Sequence, residues 1–385
     1  MTKTYKHFHR IAWAATLLAL CVIVFGSFVR LSNAGLSCPD WPTCYGRVTW
    51  PTHEHEVVAA NAVFERAVES HKTWREQFHR HIAAILGLLV LTLALLEAKR
   101  RERAIWAPIV CSALVALSIP LYMQQHYYPA FALVSAGLLG LFGFAAWAGR
   151  EPFIRYTAIL LAVIIMQAML GMWTVTWLLK PIVVMAHLLG GLTTFSLLTW
   201  LSWKATPNTD LIQASARSLK IFLWIGLALL IVQIALGGWT SANYAALSCG
   251  SEFPKCVGSW MPAHDFKEAF IVWRGIGVDY EGGVLDGPAR VAIQLAHRGM
   301  AVLVVMYFVF LGVRMFRIPG LKYWAALLLV LISSQVALGI SNVLYSLPLS
   351  VAVAHNAGAA LLLFVVVGLL ARLREPNENP ETAST

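Results

Sequence analysis

The chain has 385 residues, of which 59% are hydrophobic and only 12% charged. A soluble domain of this length does not carry that balance. The formal net charge of +10 does not mark a nucleic-acid partner either, because the basic residues fall in short segments between apolar runs rather than along one polar face.

Ten apolar runs are long enough to cross about 30 Å of hydrocarbon at about 1.5 Å per residue. They lie near 11–29, 77–97, 105–123, 129–148, 156–178, 182–203, 220–240, 291–313, 322–343 and 349–371. Helix is the state that satisfies their backbone groups in lipid. The class predicted is an all-α integral membrane protein of about ten transmembrane helices.

Orientation follows from the basic residues. With the N-terminus cytoplasmic, the inner segments hold Lys3, Lys6 and Arg10, then Lys99, Arg100, Arg101 and Arg103, then Arg150 and Arg155. Lys204, Arg217, Lys220, Arg314, Arg317, Lys322, Arg372 and Arg374 continue the pattern, and among the short outer turns Lys180 is the exception. Both termini are then cytoplasmic and the long loops, roughly 30–75 and 241–289, face outward. The first run follows a basic start, as a signal peptide does. It is longer than a usual signal core and has a counterpart deep in the chain, so it is expected to be retained.

That counterpart belongs to an internal duplication. The stretch ending in Cys38 aligns with the one ending in Cys249, and Cys38/Cys249, Cys44/Cys256 and His79/His297 pair at offsets of 211 to 218. Gln167-Ala-Met-Leu-Gly171 matches Gln335-Val-Ala-Leu-Gly339, and His187 matches His355, both at an offset of 168. The expected organisation is a tandem pseudo-repeat of two four-helix bundles, 1–203 and 220–374, with an extra helical hairpin at 104–153 in the first. Residues 204–219 are expected as a cytoplasmic linker and 375–385 as a disordered tail.

The two halves share a His-Arg pair at the mouth of a helix, His79-Arg80 and His297-Arg298. Together with His187 and His355 these make four histidines near the outer ends of four helices, a pattern that suits two pairs of axial haem ligands. Separate hydrogen-bonded histidines are the plainer alternative, but ionisable groups at membrane depth are rare and usually functional. His81 is placed on another face, and His7, His9, His53, His55, His71, His126 and His264 in termini or polar loops. The cluster Thr52-His-Glu-His-Glu56 is a weak metal candidate on spacing alone.

Glu76 precedes His79 by three residues and shares its helical face, while the second half has Gln294 at that place. Glutamine keeps the shape and loses the proton chemistry, which favours a catalytic carboxylate over one that merely meets a helix dipole. Arg80 and Arg298 are candidates for haem propionates, or for lipid phosphate at the interface. Cys38/Cys44 and Cys249/Cys256 are close pairs in outward loops, where disulfides persist, with a redox role or zinc as alternatives. Cys21 and Cys111 lie inside apolar runs, and with no C-x-x-C-H stretch covalent haem attachment is not expected.

At these residues the chain resembles the haem A synthase family in its bacterial form. The resemblance is carried by Gly35-Leu-Ser-Cys-Pro-Asp-Trp-Pro-Thr-Cys-Tyr-Gly46, Glu76 to Arg80, Gly171-Met-Trp-Thr-Val175 and Ala186-His-Leu-Leu-Gly-Gly191. Trp273 to Arg290, Ala296-His-Arg298 and Ala354-His-Asn356 extend it through the second half. The resemblance implies oxidation of a haem O methyl to the formyl of haem A for terminal oxidases, in the bacterial inner membrane. It implies substrate haem in the first half at His79 and His187, with Glu76 catalytic, and haem b on His297 and His355. It also implies a disulfide-capable Cys38/Cys44 pair near the substrate. Implied partners are haem O synthase and terminal-oxidase assembly; a homo-oligomer stays open. The family pattern has eight helices, and the hairpin at 104–153 makes ten here. The rivals are a di-haem membrane cytochrome b and a haem carrier without chemistry. A transporter is disfavoured, since the repeats share one orientation and show no paired broken helices.

Overall fold

The computed structural model describes residues 3–101, 103–149, 151–213 and 215–375. In chain order the helices are α1 (Lys3–Leu31), α2 (Glu54–Val63), α3 (Ser70–Ala98), α4 (Trp106–Met123), α5 (Tyr127–Ala148) and α6 (Pro152–Thr176). There follow α7 (Pro181–Ala205), α8 (Ala216–Ala242), α9 (Phe266–Ala269), α10 (Gly287–Phe316), α11 (Lys322–Leu344) and α12 (Leu349–Arg372). Ten of these are long and apolar enough to cross a membrane, so the chain is a multi-pass membrane protein. Each lies on one of the apolar runs, extended by up to eight residues into its flanks.

The extra turns come from sequence that helices accept at their ends. Pro152, Pro181 and Pro288 start α6, α7 and α10, where a missing N–H costs nothing. The Asp286 carboxylate accepts the Ala289 amide at 2.9 Å. Left-handed residues close the helices that reach the long loops and short turns: Asn33 (φ 51°) after α1 and Tyr244 (φ 53°) after α8. Leu178 and Leu179 after α6 have the same sign of φ as Ser346 and Leu347 after α11. In each case a 6→1 bond satisfies an orphan carbonyl, as from Ala34 N to Val29 O at 3.0 Å and from Ala245 N to Thr240 O at 2.9 Å.

Helix α1 packs on α3 and α7, and α6 on α3 and α7; likewise α8 packs on α10 and α12, and α11 on α10 and α12. The two sets of four meet where α12 touches α1 and α7, and α7 touches α8. Helices α4 and α5 pack on each other and lie against α6 through α5. A continuous apolar core, with Phe8, Leu93, Phe195, Leu219, Phe308 and Leu369, fills the end away from the long loops. Several polar groups there are paired: Thr16 and Ser202 hydroxyls at 2.9 Å, and Trp13 Nε1 donating to Thr206 Oγ1 at 2.9 Å.

The stretch 204–219, expected only as a linker, carries a two-residue strand β1 (Leu211–Ile212) paired in parallel with β2 (Leu373–Arg374). Arg372 anchors this joint: its Nε donates to Thr209 O at 2.6 Å, and its guanidinium lies 4.3 Å over Trp203. The short helices α2 and α9 were not foreseen, being too short to carry a clear apolar period. His7 and His9 lie within α1, His55 within α2 and His71 in the first turn of α3, not in loops. Of the expected tail, residues 376–385 fall outside the described residues.

The hairpin is held by close backbone approach. A Cβ at Gly137 would stand 2.8 Å from the Cys111 carbonyl, whereas at Gly143 nothing lies within 4 Å. Gly137→Ala should therefore cost about 1–3 kcal/mol through strain between α4 and α5, seen as a lowered thermal midpoint in detergent. Gly143→Ala, on the open face of the same helix, should be neutral or stabilising by up to about 1 kcal/mol.

Candidate functional site

The long loops form two roofs over the helix ends. In the first, Cys38 is joined to Cys44 by a disulfide, and the Asp40 carboxylate accepts from Thr43 Oγ1 (2.5 Å), Tyr45 N (2.6 Å) and Gly46 N (2.8 Å). In the second, Cys249 is joined to Cys256, and Glu252 accepts from Gly258 N at 2.6 Å. Tyr45 is buried beneath the first roof with its hydroxyl donating to Ala67 O at 3.1 Å, and burial pushes its pKa up to about 12.

Glu76 is 5% exposed and knits α3 to the first roof. Its carboxylate accepts from Arg80 Nη2 at 2.6 Å, Cys38 N at 2.9 Å and Ser37 Oγ at 3.0 Å. Arg80 also donates to the Asp40 and Thr43 carbonyls at 2.8 and 2.6 Å. At the corresponding place in the second set, Gln294 donates to Ala246 O at 3.2 Å, and Arg298 to Lys255 O and Glu252 O at 3.1 and 3.2 Å. So both arginines hold roof carbonyls, and only Arg80 meets a carboxylate. Neither role had been read from the sequence, which does not reveal where a loop folds back.

The four histidines each press on a glycine of a neighbouring helix. A Cβ at Gly26 of α1 would stand 2.8 Å from His79 Cε1, and at Gly171 of α6 3.1 Å from His187 Cε1. A Cβ at Gly237 of α8 would stand 3.2 Å from His297 Cε1, and at Gly339 of α11 3.3 Å from His355 Cε1. The imidazoles fit because those positions lack side chains. His79 on α3 and His187 on α7 sit on helices that both pack against α1 and α6, and His297 on α10 and His355 on α12 on helices that both pack against α8 and α11, which groups them in pairs. Nδ1 of His79, His187 and His355 is enclosed without a hydrogen-bond partner, while Nδ1 of His297 lies 3.2 Å from Gln233 Nε2. Such buried, unpaired nitrogens are costly in a protein interior, and imidazole is a donor type that haem iron takes.

All four imidazoles, with Glu76, Arg80, Gln294 and Arg298, line one cavity of about 1650 Å³ with mainly apolar walls. That exceeds the roughly 300–1,000 Å³ of a pocket for a single small ligand, so more than one flat macrocycle has room. The residues fit two haem groups in number of ligands, in clearance and in volume. Arg30 and Tyr244 also line this cavity and were not singled out from the sequence. The available signal was the lone cation at Arg30, aligned with Ser241. His81 borders the cavity too, with Nε2 3.0 Å from Val48 O.

A strap from the second long loop crosses onto the first set. Tyr280 N donates to Leu178 O at 3.1 Å, and Glu281 pairs with Arg66 at 2.6 Å. The Lys180 ammonium, buried, sits 3.3 Å from the centre of the Trp273 ring, and burial pushes its pKa down. The metal candidate at Thr52–Glu56 is otherwise employed: Glu56 accepts the Thr52 and His53 amides and pairs with Arg47 at 2.6 Å. Among the described residues, no group of three or more His, Cys, Asp or Glu is placed to hold a metal ion.

The COX15-CtaA family model, described as cytochrome oxidase assembly protein, matches residues 9–119 and 129–367. The chain belongs to this family. A heme A synthase of Shewanella oneidensis is 39% identical over 91% of this chain and 92% of its own. Heme A synthases of Paracoccus denitrificans (25% identical; 95% of this chain, 88% of the relative) and of Wolbachia pipientis from Culex pipiens (25%; 90% and 92%) are also similar. The family match takes in most of α4 and α5 and breaks only around the turn between them.

The Glu76 cluster makes a graded prediction. Arg80→Ala leaves a buried carboxylate without its counter-ion and should destabilise by about 3–5 kcal/mol. Ser37→Ala removes one donor of three and should cost about 1.5–3 kcal/mol. Thermal unfolding in detergent should rank them in that order.

Proposed function

We propose that this chain is a haem A synthase, an oxidoreductase that converts a methyl group of haem O to the formyl group of haem A. The observation that carries it is the asymmetry of two otherwise matched histidine pairs: a buried carboxylate, Glu76, beside one, and an amide, Gln294, beside the other. Family membership and relatives bearing that name support the same reaction.

In this proposal 1–203 and 220–374 are two copies of one four-helix unit, and haem O lies in the first copy between His79 and His187. His297 and His355 would hold a b-type haem in the second copy. When bound, that haem supplies one-electron transfer. With dioxygen as the oxidant, each of two hydroxylations puts one oxygen atom into a methyl C–H bond while the other leaves as water with two electrons and two protons. The resulting geminal diol loses water to leave the aldehyde. Glu76 acts at that stage: its carboxylate accepts the proton of one diol hydroxyl and returns it to the other, which departs as water, and Arg80 holds the carboxylate in position. Arg80 is held by Glu76 and the first roof and Arg298 by the second roof, so neither is assigned to a porphyrin carboxylate, and the disulfides Cys38–Cys44 and Cys249–Cys256 stiffen the roofs above each copy. The placement is the bacterial inner membrane, with both termini cytoplasmic and the roofs on the oxidising side. Supply of haem O by its synthase and delivery to terminal-oxidase assembly complete the set of partners.

The test is extraction of pigments from the purified protein, resolved by chromatography and mass, with haem O co-produced in the host. Wild type should yield haem B together with haem O, a hydroxylated intermediate or haem A. Glu76→Gln should keep its haem and accumulate haem O or the hydroxylated form. Undiminished haem A from that variant would remove Glu76 from the chemistry. Haem B alone from wild type would make the chain an electron-transfer cytochrome.

A further inference from the structure

Arg30 is a charged cavity residue that neither roof uses. We propose that it binds the carboxylate side chains of the porphyrin held in the first half. It lies one turn beyond Gly26 on the same face of α1, the face on which His79 is packed. Its Nη1 donates to the Tyr244 hydroxyl at 3.0 Å and its Nη2 to the Ser241 carbonyl at 2.7 Å, and the guanidinium lies 4.4 Å from the centre of the Tyr244 ring. Those bonds engage two of the five N–H groups of a guanidinium. Its Nε has no hydrogen-bond partner, and no carboxylate pairs with it among the described residues.

A cation on a mainly apolar wall without a counter-ion is costly, and its planar fork matches a carboxylate. Glu76 already occupies Arg80, and Arg298 is committed to the second roof. Arg30 is therefore the cavity cation best able to receive an added anion. The aligned position in α8 is Ser241, so the cation belongs to the first half alone, where the proposed substrate lies. Tyr244 and Ser241, at the end of α8, hold the side chain over the seam and set its reach.

The inference rests on the haem reading above, and the experiment separates the two. The full-length chain, depleted of haem in detergent, is titrated with iron protoporphyrin IX and with its dimethyl ester, which lacks both carboxylates. Wild type should prefer the free acid by about ten- to a hundredfold. Arg30→Gln should lose that preference for one of the two equivalents while binding the ester as wild type does, which also reports an intact fold. Arg30→Lys should keep part of the preference and serves if the glutamine variant does not fold. Tyr244→Phe, which removes one of its two hydrogen bonds but leaves the guanidinium and its bond to the Ser241 carbonyl, should keep it. Equal affinity of wild type for acid and ester, or a Tyr244→Phe loss as large as that of Arg30→Gln, would overturn the role of Arg30 and leave the haem reading standing. A wild-type chain that binds neither porphyrin would overturn both.

Discussion

Hydrocarbon offers no hydrogen bonds, so every polar group carried into the membrane must find its partner inside the protein. Most of this structure obeys that constraint by local means. Thr16 meets Ser202, Trp13 meets Thr206, and the Gln167 amide reaches the His187 carbonyl at 2.6 Å. Against that background the exceptions carry information. Three imidazoles keep a ring nitrogen without a partner, and Arg30 keeps a charge without a counter-ion. Buried polar atoms without a hydrogen-bond partner also occur elsewhere, as at Thr199 and Trp203, but the three imidazoles and Arg30 share the wall of one cavity.

The two sets of four helices pack in the same pattern and differ in the groups that border the histidines. Glycines at 26 and 237, and at 171 and 339, clear the same space for an imidazole. Around that shared frame the side chains diverge, and three of the differences are polar ones beside the histidines. Glu76 stands opposite Gln294, Arg30 opposite Ser241, and Val22 opposite Gln233, which reaches the ring of His297. The first set therefore holds more charge around its histidines, while the second gives one ligand candidate a neutral amide neighbour of the kind that fixes a ring's orientation. Polar asymmetry on a common scaffold is how one cavity can treat two similar ligands differently.

Much of this was legible in the sequence because the bilayer writes in long strokes. The ten spans, the matched histidines and the odd carboxylate are set by length, periodicity and internal alignment, and each span falls on its apolar run. What was not legible depends on loops returning over the helices. Arg80 looked like a group waiting for a ligand; the roof carbonyls of Asp40 and Thr43 claim it, a contact forty residues away in sequence. Lys180 looked like a stray positive charge in a short turn; it is enclosed against Trp273 from the far half of the chain. The pairing of Leu211 with Leu373 was equally hidden, since a two-residue strand has no pattern of its own. The aligned glycines were on the page from the start, but their purpose needs the distance to an imidazole to be seen.

The strap formed by Trp273, Tyr280 and Glu281 bears on the order of synthesis. These residues lie beyond α8 in the chain, yet they cover the turn between α6 and α7 and tie to Arg66 beside the first roof. A ribosome that has delivered the first four-helix set has made its histidines, its glycines and Glu76, but not the cover over their outer turn. That cover arrives only after α8 and the loop that follows it have been made. The first compartment thus stays open during a defined interval of translation, and cutting the chain between the sets would leave it open for good.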